Sequence, residues 1–405
     1  MRFQPAKVIL LFALAFPGSV DAATHVTFQK RTVYAFPQEQ VYIGNKFPGA
    51  RISACRRLDE GKYEIRILPE NRPINFSPWY AFEIWSDQPR DVRVTLSYSD
   101  GFHRYKPKVS TDGKHWKRLD PTQITMGPFR SLADLRLRIG RERLRVAGQE
   151  MIGNQQFHAW LGALSKKPFV ARENVGKSLG GRPIDALTVG NPTGTNAVVI
   201  ISRQHPPEST GTLGLFAFVD ALVGESDLAR KFRERFTTLI VPCLNPDGVH
   251  EGHWRHNLNG VDLNRDWKHF VQPETRMIRD RILKMLRKTR SRVFLFIDFH
   301  STHRDVFYTG TEDEKTFPPR FIPQWLSSLQ KRFPDYHVNI VANKTTLAVS
   351  KAWALEALGC PAVTYEFGDH TDRKLISRIA DGAAQEAMQL LLDAPALIND
   401  ENSGE

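Results

Sequence analysis

After Lys167, short β-branched runs alternate with longer runs that carry their apolar residues on one face. The strand-like runs fall at 186–189, 197–201, 238–243, 293–299, 338–341 and 362–367. Helix-like runs at 213–223, 227–236, 273–287 and 349–358 lie between them, and a last one at 375–392 follows. In the third of these Ile278, Ile282, Met285 and Leu286 share a face, and Pro273 suits a first helical turn. Strand and helix in alternation leave few architectures open. The expected class is α/β, a mixed central sheet with helices on both faces.

The first third of the chain has a different texture. Tyr63, Ile65 and Ile67 alternate with Glu64 and Arg66, and Val92, Val94, Leu96 and Tyr98 alternate with Arg93, Thr95 and Ser97. A period of two marks half-buried strands, read here as antiparallel. Glu60-Gly61, Asp100-Gly101 and Asp112-Gly113 supply turns. An all-β sandwich domain is therefore expected before the α/β part, with Trp79, Tyr80, Phe82 and Trp85 in its core. The arginine- and leucine-rich stretch 130–164 reads as the junction between the two.

At 405 residues the chain suits two domains. The expected bounds are 23–150 for the β-sandwich and 151–395 for the α/β domain, with an acidic, loose tail at 396–405. Residues 1–22 read as a signal peptide: Arg2 and Lys7, an apolar core from Val8 to Phe16, then Val20-Asp21-Ala22 before the cut. Secretion to the periplasm or beyond is thus expected, and no later run has the length of a membrane span. The net charge of +12 is dispersed, and its densest patch, 130–145, lacks interleaved aromatics. That argues against a nucleic-acid partner. Three cysteines allow at most one disulfide; Cys243 and Cys360 are expected as buried thiols.

Chemistry collects at strand ends, where open α/β sheets bind ligands. The run 197–201 ends in Arg203-Gln204-His205-Pro206-Pro207-Glu208, before a helix expected to start on a hydroxyl cap at Ser209-Thr210-Gly211. A His and a Glu three residues apart can close on one divalent metal. The next strand runs into the turn Asn245-Pro246-Asp247-Gly248, followed by Arg255 and by Asp262-Leu263-Asn264-Arg265. Two further strands end in His300 and Glu366.

These pieces together resemble the M14 zinc carboxypeptidases, and within them the cytosolic carboxypeptidase subfamily. The matching stretches are Gly176-Lys177-Ser178, Gly181-Arg182-Pro183-Ile184, His205-Pro206-Pro207-Glu208, Asn245-Pro246-Asp247-Gly248, Arg255, Asp262-Leu263-Asn264-Arg265, Asp298-Phe299-His300-Ser301 and Thr364-Tyr365-Glu366. Residues 75–85 and 105–116 resemble that subfamily's N-terminal β-domain. The resemblance implies one Zn2+ per chain, held by His205, Glu208 and His300, with Asp262 orienting His205. It implies that Arg255 polarises the scissile carbonyl and that Asn264 and Arg265 clamp a terminal carboxylate. Glu366 is implied as the general base toward a zinc-activated water. The implied substrate is a peptide or muropeptide with a free C-terminal carboxylate.

A rival cluster, His250, His253 and His256, lacks the helical register of other zinc peptidases. His303 and Arg304 are expected beside the cleft. Many members of the wider family place a tyrosine over the substrate; here Tyr308, Tyr336 and Tyr365 are the candidates, and none is singled out. Lys344 and Lys351 lie where an acidic terminal side chain would be chosen. A muropeptide amidase, an N-acyl amino acid deacylase and a non-catalytic peptide-binding protein stand as alternatives on the same fold.

Overall fold

The structure, a computed structural model, describes residues 25–311, 313–344 and 346–394. The expected signal peptide and the expected tail lie outside the described residues. The N-terminal part is all β: β1 (Val33–Phe36), β2 (Val41–Gly44), β3 (Ala54–Asp59), β4 (Lys62–Ile67), β5 (Ala81–Ser86), β6 (Arg90–Tyr98), β7 (Lys108–Ser110), β8 (Lys117–Arg118), β9 (Ile124–Met126), β10 (Leu132–Ile139) and β11 (Leu144–Ala147). They form two sheets, β1-β2-β5-β11-β7-β8 and β3-β4-β6-β10-β9. The inward residues of both, among them Ile43, Ile65, Phe82, Val94 and Leu135, make one core.

Three expectations need correction here. Strands β4 and β6 pair in parallel, because the intervening β5 crosses to the other sheet. The stretch read as a junction supplies β10 and β11, one strand to each sheet. In β10 Ala133, Leu135, Leu137 and Ile139 face inward, while the exposed Arg136 and Arg138 mask that period in the sequence. Trp79, Tyr80 and Phe82 are core residues, but Trp85 is half-buried, stacked on Tyr42 at 5.4 Å with the Arg143 guanidinium 4.5 Å above it.

The rest of the chain alternates strand and helix: α1 (Asn154–Leu164), β12 (Val170–Lys177), β13 (Pro183–Gly190), β14 (Asn196–Ser202), α2 (Ser209–Leu222), α3 (Asp227–Arg235), β15 (Phe236–Val241), α4 (Pro246–Glu251), α5 (Pro273–Thr289), β16 (Arg292–Thr302), β17 (Val306–Thr309), α6 (Phe321–Arg332), β18 (Ile340–Ala342), α7 (Ser350–Trp353), β19 (Ala362–Gly368) and α8 (Arg373–Asp393). Of these, α1, β12, α4, β17 and α6 are added to the expected runs. One mixed sheet runs β12-β13-β15-β14-β16-β19-β17-β18, with β15, β14, β16 and β19 mutually parallel. Strand β14 is buried on both sides. Val198 and Ile200 pack toward α2, α3 and α8, and Val199 and Ile201 pack toward α5. Helices therefore cover both faces, and the carboxyl ends of the parallel strands open on one edge.

Two helix readings change. No hydroxyl caps α2: Glu208 takes the cap position, Ser209 Oγ donates to the Glu150 carbonyl and Thr210 Oγ1 to Ser301 Oγ. The helix expected over 349–358 is α-helical only through α7. It then widens into a turn, Ala354–Leu358, that Gly359 ends at φ 60°. Cys243 and Cys360 are buried, and all three cysteines are free thiols.

Candidate active site

Strand β14 delivers its turn in a strained conformation. Arg203 sits at φ 57°, in the left-handed region that disfavours a side chain. Its buried guanidinium holds the turn by donating to the carbonyls of Pro206 (2.8 Å) and Ile152 (3.0 Å) and to Thr212 Oγ1 (2.8 Å). The turn in its turn aims His205 and Glu208 at the end of β16. There His300 Nδ1 lies 2.8 Å from Glu208 Oε2 and 3.2 Å from His205 Nδ1, and His205 Nδ1 lies 2.8 Å from Glu208 Oε1. The start of α2 packs directly on this strand. A Cβ on Gly211 would lie 2.4 Å from the His300 carbonyl oxygen, and the Gly211 N–H donates to Ser301 Oγ.

The donor set fits a zinc ion. Among the described residues, His205, Glu208 and His300 bring one ligand atom each to within 4.8 Å of one another. Two nitrogens each about 2.0–2.1 Å from a tetrahedral zinc sit ~3.3 Å apart, close to the spacing seen. The outer ring nitrogens face carboxylates: His205 Nε2 is 2.9 Å from Asp262 Oδ1, and His300 Nε2 is 2.8 Å from Asp298 Oδ2. A carboxylate there favours a proton on the outer nitrogen, which leaves the inner lone pair free for a metal. Burial alone would lower the pKa of His300, but Asp298 and Glu208 outweigh it and hold the ring well above its usual range.

The other expected residues gather around this point. Asp262 accepts the Asn264 N–H at 2.9 Å and the Arg255 Nε at 2.6 Å. Burial opposes its ionisation, but Arg255 and His205 prevail and keep its carboxyl well below the carboxylate range. The Asn264 side chain reaches 3.4 Å from His300 Nε2 and accepts the Ser350 N–H at 3.0 Å. Arg265 is exposed and donates to the Asn264 carbonyl. Glu366 is the register partner of His300 on the neighbouring parallel strand, so both side chains point to the same face. Burial pushes the Glu366 carboxyl up to about 7; His300 pulls it down and Glu208 raises it.

Sequence reasoning passed over two supports. Gln204 donates to Asp298 Oδ2 at 2.6 Å and accepts from Trp267 Nε1 at 2.8 Å, fixing the carboxylate behind His300. The signal was available: Asp298 and His300 are two apart on one strand and so share a face. Glu70, far away in the sandwich, gave no signal at all. The rival histidines do not converge on a metal. His253 Nδ1 bonds the His256 carbonyl at 2.9 Å, and His256 Nδ1 meets Asn71 Oδ1 at 2.6 Å. His303 and Arg304 are exposed after β16. Tyr365 is buried against Phe307 and Tyr336 donates to Asp305, whereas Tyr308 shares the Glu366 face of the sheet. Lys351 is buried, donates to the Thr309 carbonyl at 2.7 Å, and lines a cavity of about 200 Å³ with Lys344, Glu314 and Glu356.

Comparison with known proteins follows the same division of the chain. The family profile described as zinc carboxypeptidase matches residues 157–381, and that described as cytosolic carboxypeptidase N-terminal domain matches 43–137. Cytosolic carboxypeptidase 6 of Mus musculus is 33% identical over 303 residues, 67% of this chain and 56% of its own length. The chain thus spans little more than half of that relative. An uncharacterised protein of Zymomonas mobilis is 26% identical over 353 residues, 82% of this chain and 89% of its own. The solved structure of a metallo-carboxypeptidase from Burkholderia cenocepacia superposes with a TM-score of 0.73 at 23% identity, covering 87% of this chain and 99% of that one. A metallo-carboxypeptidase from Pseudomonas aeruginosa, in complex with (2-guanidinoethylmercapto)succinic acid, gives 0.69 at 20% identity, covering 86% and 98%. At such identities these two likenesses speak for the fold.

Proposed function

The chain belongs to the zinc carboxypeptidase family, and from that premise we propose that it is a zinc-dependent metallocarboxypeptidase that removes C-terminal residues from peptides. What supports the reading most is the approach of His205, Glu208 and His300 with Glu366 in register beside His300. Zinc, when bound, would supply an acidified water and polarise the scissile carbonyl. Glu366 accepts the water's proton and returns it to the leaving amine. Burial raises the pKa of the Glu366 carboxyl, which is the direction a group that both takes and returns a proton needs. Arg255 engages Asp262 through Nε, and its terminal nitrogens are those we assign to the carbonyl oxygen as charge builds there. Asn264 and Arg265 hold the terminal carboxylate, so that the last peptide bond is the one presented. The succinic acid compound held by the Pseudomonas protein carries carboxylates of the kind this clamp would receive.

Digestion of a peptide library by the zinc-loaded chain, read by mass, tests the proposal. Single residues lost from free C-termini are expected. Products from muropeptides or N-acyl amino acids alone would favour the alternatives, and binding without products would favour a non-catalytic role. Comparing peptides that end in Glu, Leu and Lys asks whether Lys351 and Lys344 select acidic termini. Secretion is part of the proposal and rests on residues 1–22; a native protein whose first residue is Met1 would refute it.

A further inference from the structure

The β-sandwich grips the loop that carries Arg255. This loop, 252–262, follows α4 and leads to Asp262, and three of its consecutive backbone N–H groups are taken up outside its own unit. Glu70, fully buried between β4 and β5, accepts the backbone N–H groups of Trp254 (2.7 Å), Arg255 (2.8 Å) and His256 (2.8 Å). The next residue, Asn71, meets His256 Nδ1 at 2.6 Å and donates to the Gly260 carbonyl at 2.9 Å. The Trp254 ring is fully buried within the sandwich core. Three consecutive amides on one carboxylate fix a peptide segment in orientation as well as in place. Burial disfavours the Glu70 charge, but His253, Arg51, His256 and the amide donors outweigh it and hold its pKa at about 2. The carboxylate is thus the resident form.

We propose that Glu70 is a positioning residue for the reaction: it sets the backbone from which Arg255 reaches the substrate carbonyl, so the sandwich completes the active site. The proposal rests on the role given above to Arg255. Arg255 stands between two constraints, its N–H on Glu70 and its Nε on Asp262. Asp262 in turn braces His205. Removing the Glu70 charge releases the first constraint and leaves the second. The substrate clamp, Asn264 and Arg265, lies beyond Asp262 and keeps its own bonds.

A double-mutant cycle on the full, zinc-loaded chain tests this. Glu70→Gln is expected to lower kcat roughly 100-fold, as a 1 Å misplacement does, with KM little changed and one zinc per chain retained. Amide exchange at Trp254, Arg255 and His256 should quicken in the same variant. In an Arg255→Ala background, Glu70→Gln should cost no more than about twofold, the ordinary error of additivity. Two penalties that multiply in full, or a parental kcat for Glu70→Gln, overturn the proposal. A parental kcat for Arg255→Ala overturns the role of Arg255 instead, so the two failures are separate. If Glu70→Gln does not fold, Asn71→Ala is read in the same cycle with the same two outcomes.

Discussion

His205 and His300 meet Glu208 where β14 and β16 end; His253 and His256 meet Glu70 where the loop after α4 crosses the sandwich. Both clusters pair two buried histidines with a buried glutamate. They differ in where the lone pairs point. In the first, Asp262 and Asp298 face the outer ring nitrogens, so two inner nitrogens and a carboxylate confront one another across about one metal ion's width. In the second, each Nδ1 faces an acceptor of the protein, and the carboxylate is filled by backbone N–H groups. A candidate metal site is therefore marked by ring nitrogens and a carboxylate turned toward a common point. Residue type alone does not make one.

That contrast can be broken most directly by metal analysis. His205→Ala and His300→Ala are expected to abolish both zinc binding and turnover, while His253→Ala and His256→Ala keep one zinc per chain after dialysis. Loss of zinc from either of the latter would erase the distinction. Glu366→Gln comes next, with turnover down by about 10²–10⁴-fold and zinc retained. Parental cleavage by that variant would remove Glu366 from the chemistry. Asp262→Asn should weaken zinc by roughly 10–100-fold, read by competition with a chelator, since it disturbs His205 without removing a donor.

The pH dependence sharpens the same contrast. In the role proposed for it Glu366 must be ionised to accept a proton, and burial lifts its pKa to about 7. Lowering the pH through that value therefore removes the active form. With zinc bound the acid limb of kcat/KM should lie at or below about 7, and Glu366→Gln should lack it. Glu70 behaves oppositely. Its folded pKa of about 2 lies below the ordinary 4.5, so its contribution is full above 4.5 and is lost as pH falls toward 2. Urea midpoints of the parent should fall over that window by more than those of Glu70→Gln. This is the smallest effect expected.

The meeting of His205, Glu208 and His300 was largely legible because its determinants are local. A β-branched run, a proline-rich turn and an amphipathic run placed His205 and Glu208 at a strand end, and the same logic placed His300 and Glu366. Strand direction was not local. The alternation of Tyr63, Ile65 and Ile67 marked β4 as a strand, but its parallel pairing with β6 depends on β5 joining the other sheet. Strand β10 hid for a composition reason: its outward arginines dominate the reading while its inward residues carry the fold. Glu70 was out of reach altogether, since its partners are 184 to 186 residues away and are main-chain atoms. Backbone donors have no identity in a sequence.

The missing side chain at Gly211 has a mechanical consequence. The opening of α2 rests on the backbone of β16 with room for a hydrogen only, and beside it the Ser301 N–H donates to Glu208 Oε2 at 3.2 Å. Gly211→Ala would act as a wedge driven between two ligand-bearing elements. Ion affinity then becomes a gauge of how far a helix and a strand can be pried apart, readable without altering a single donor atom.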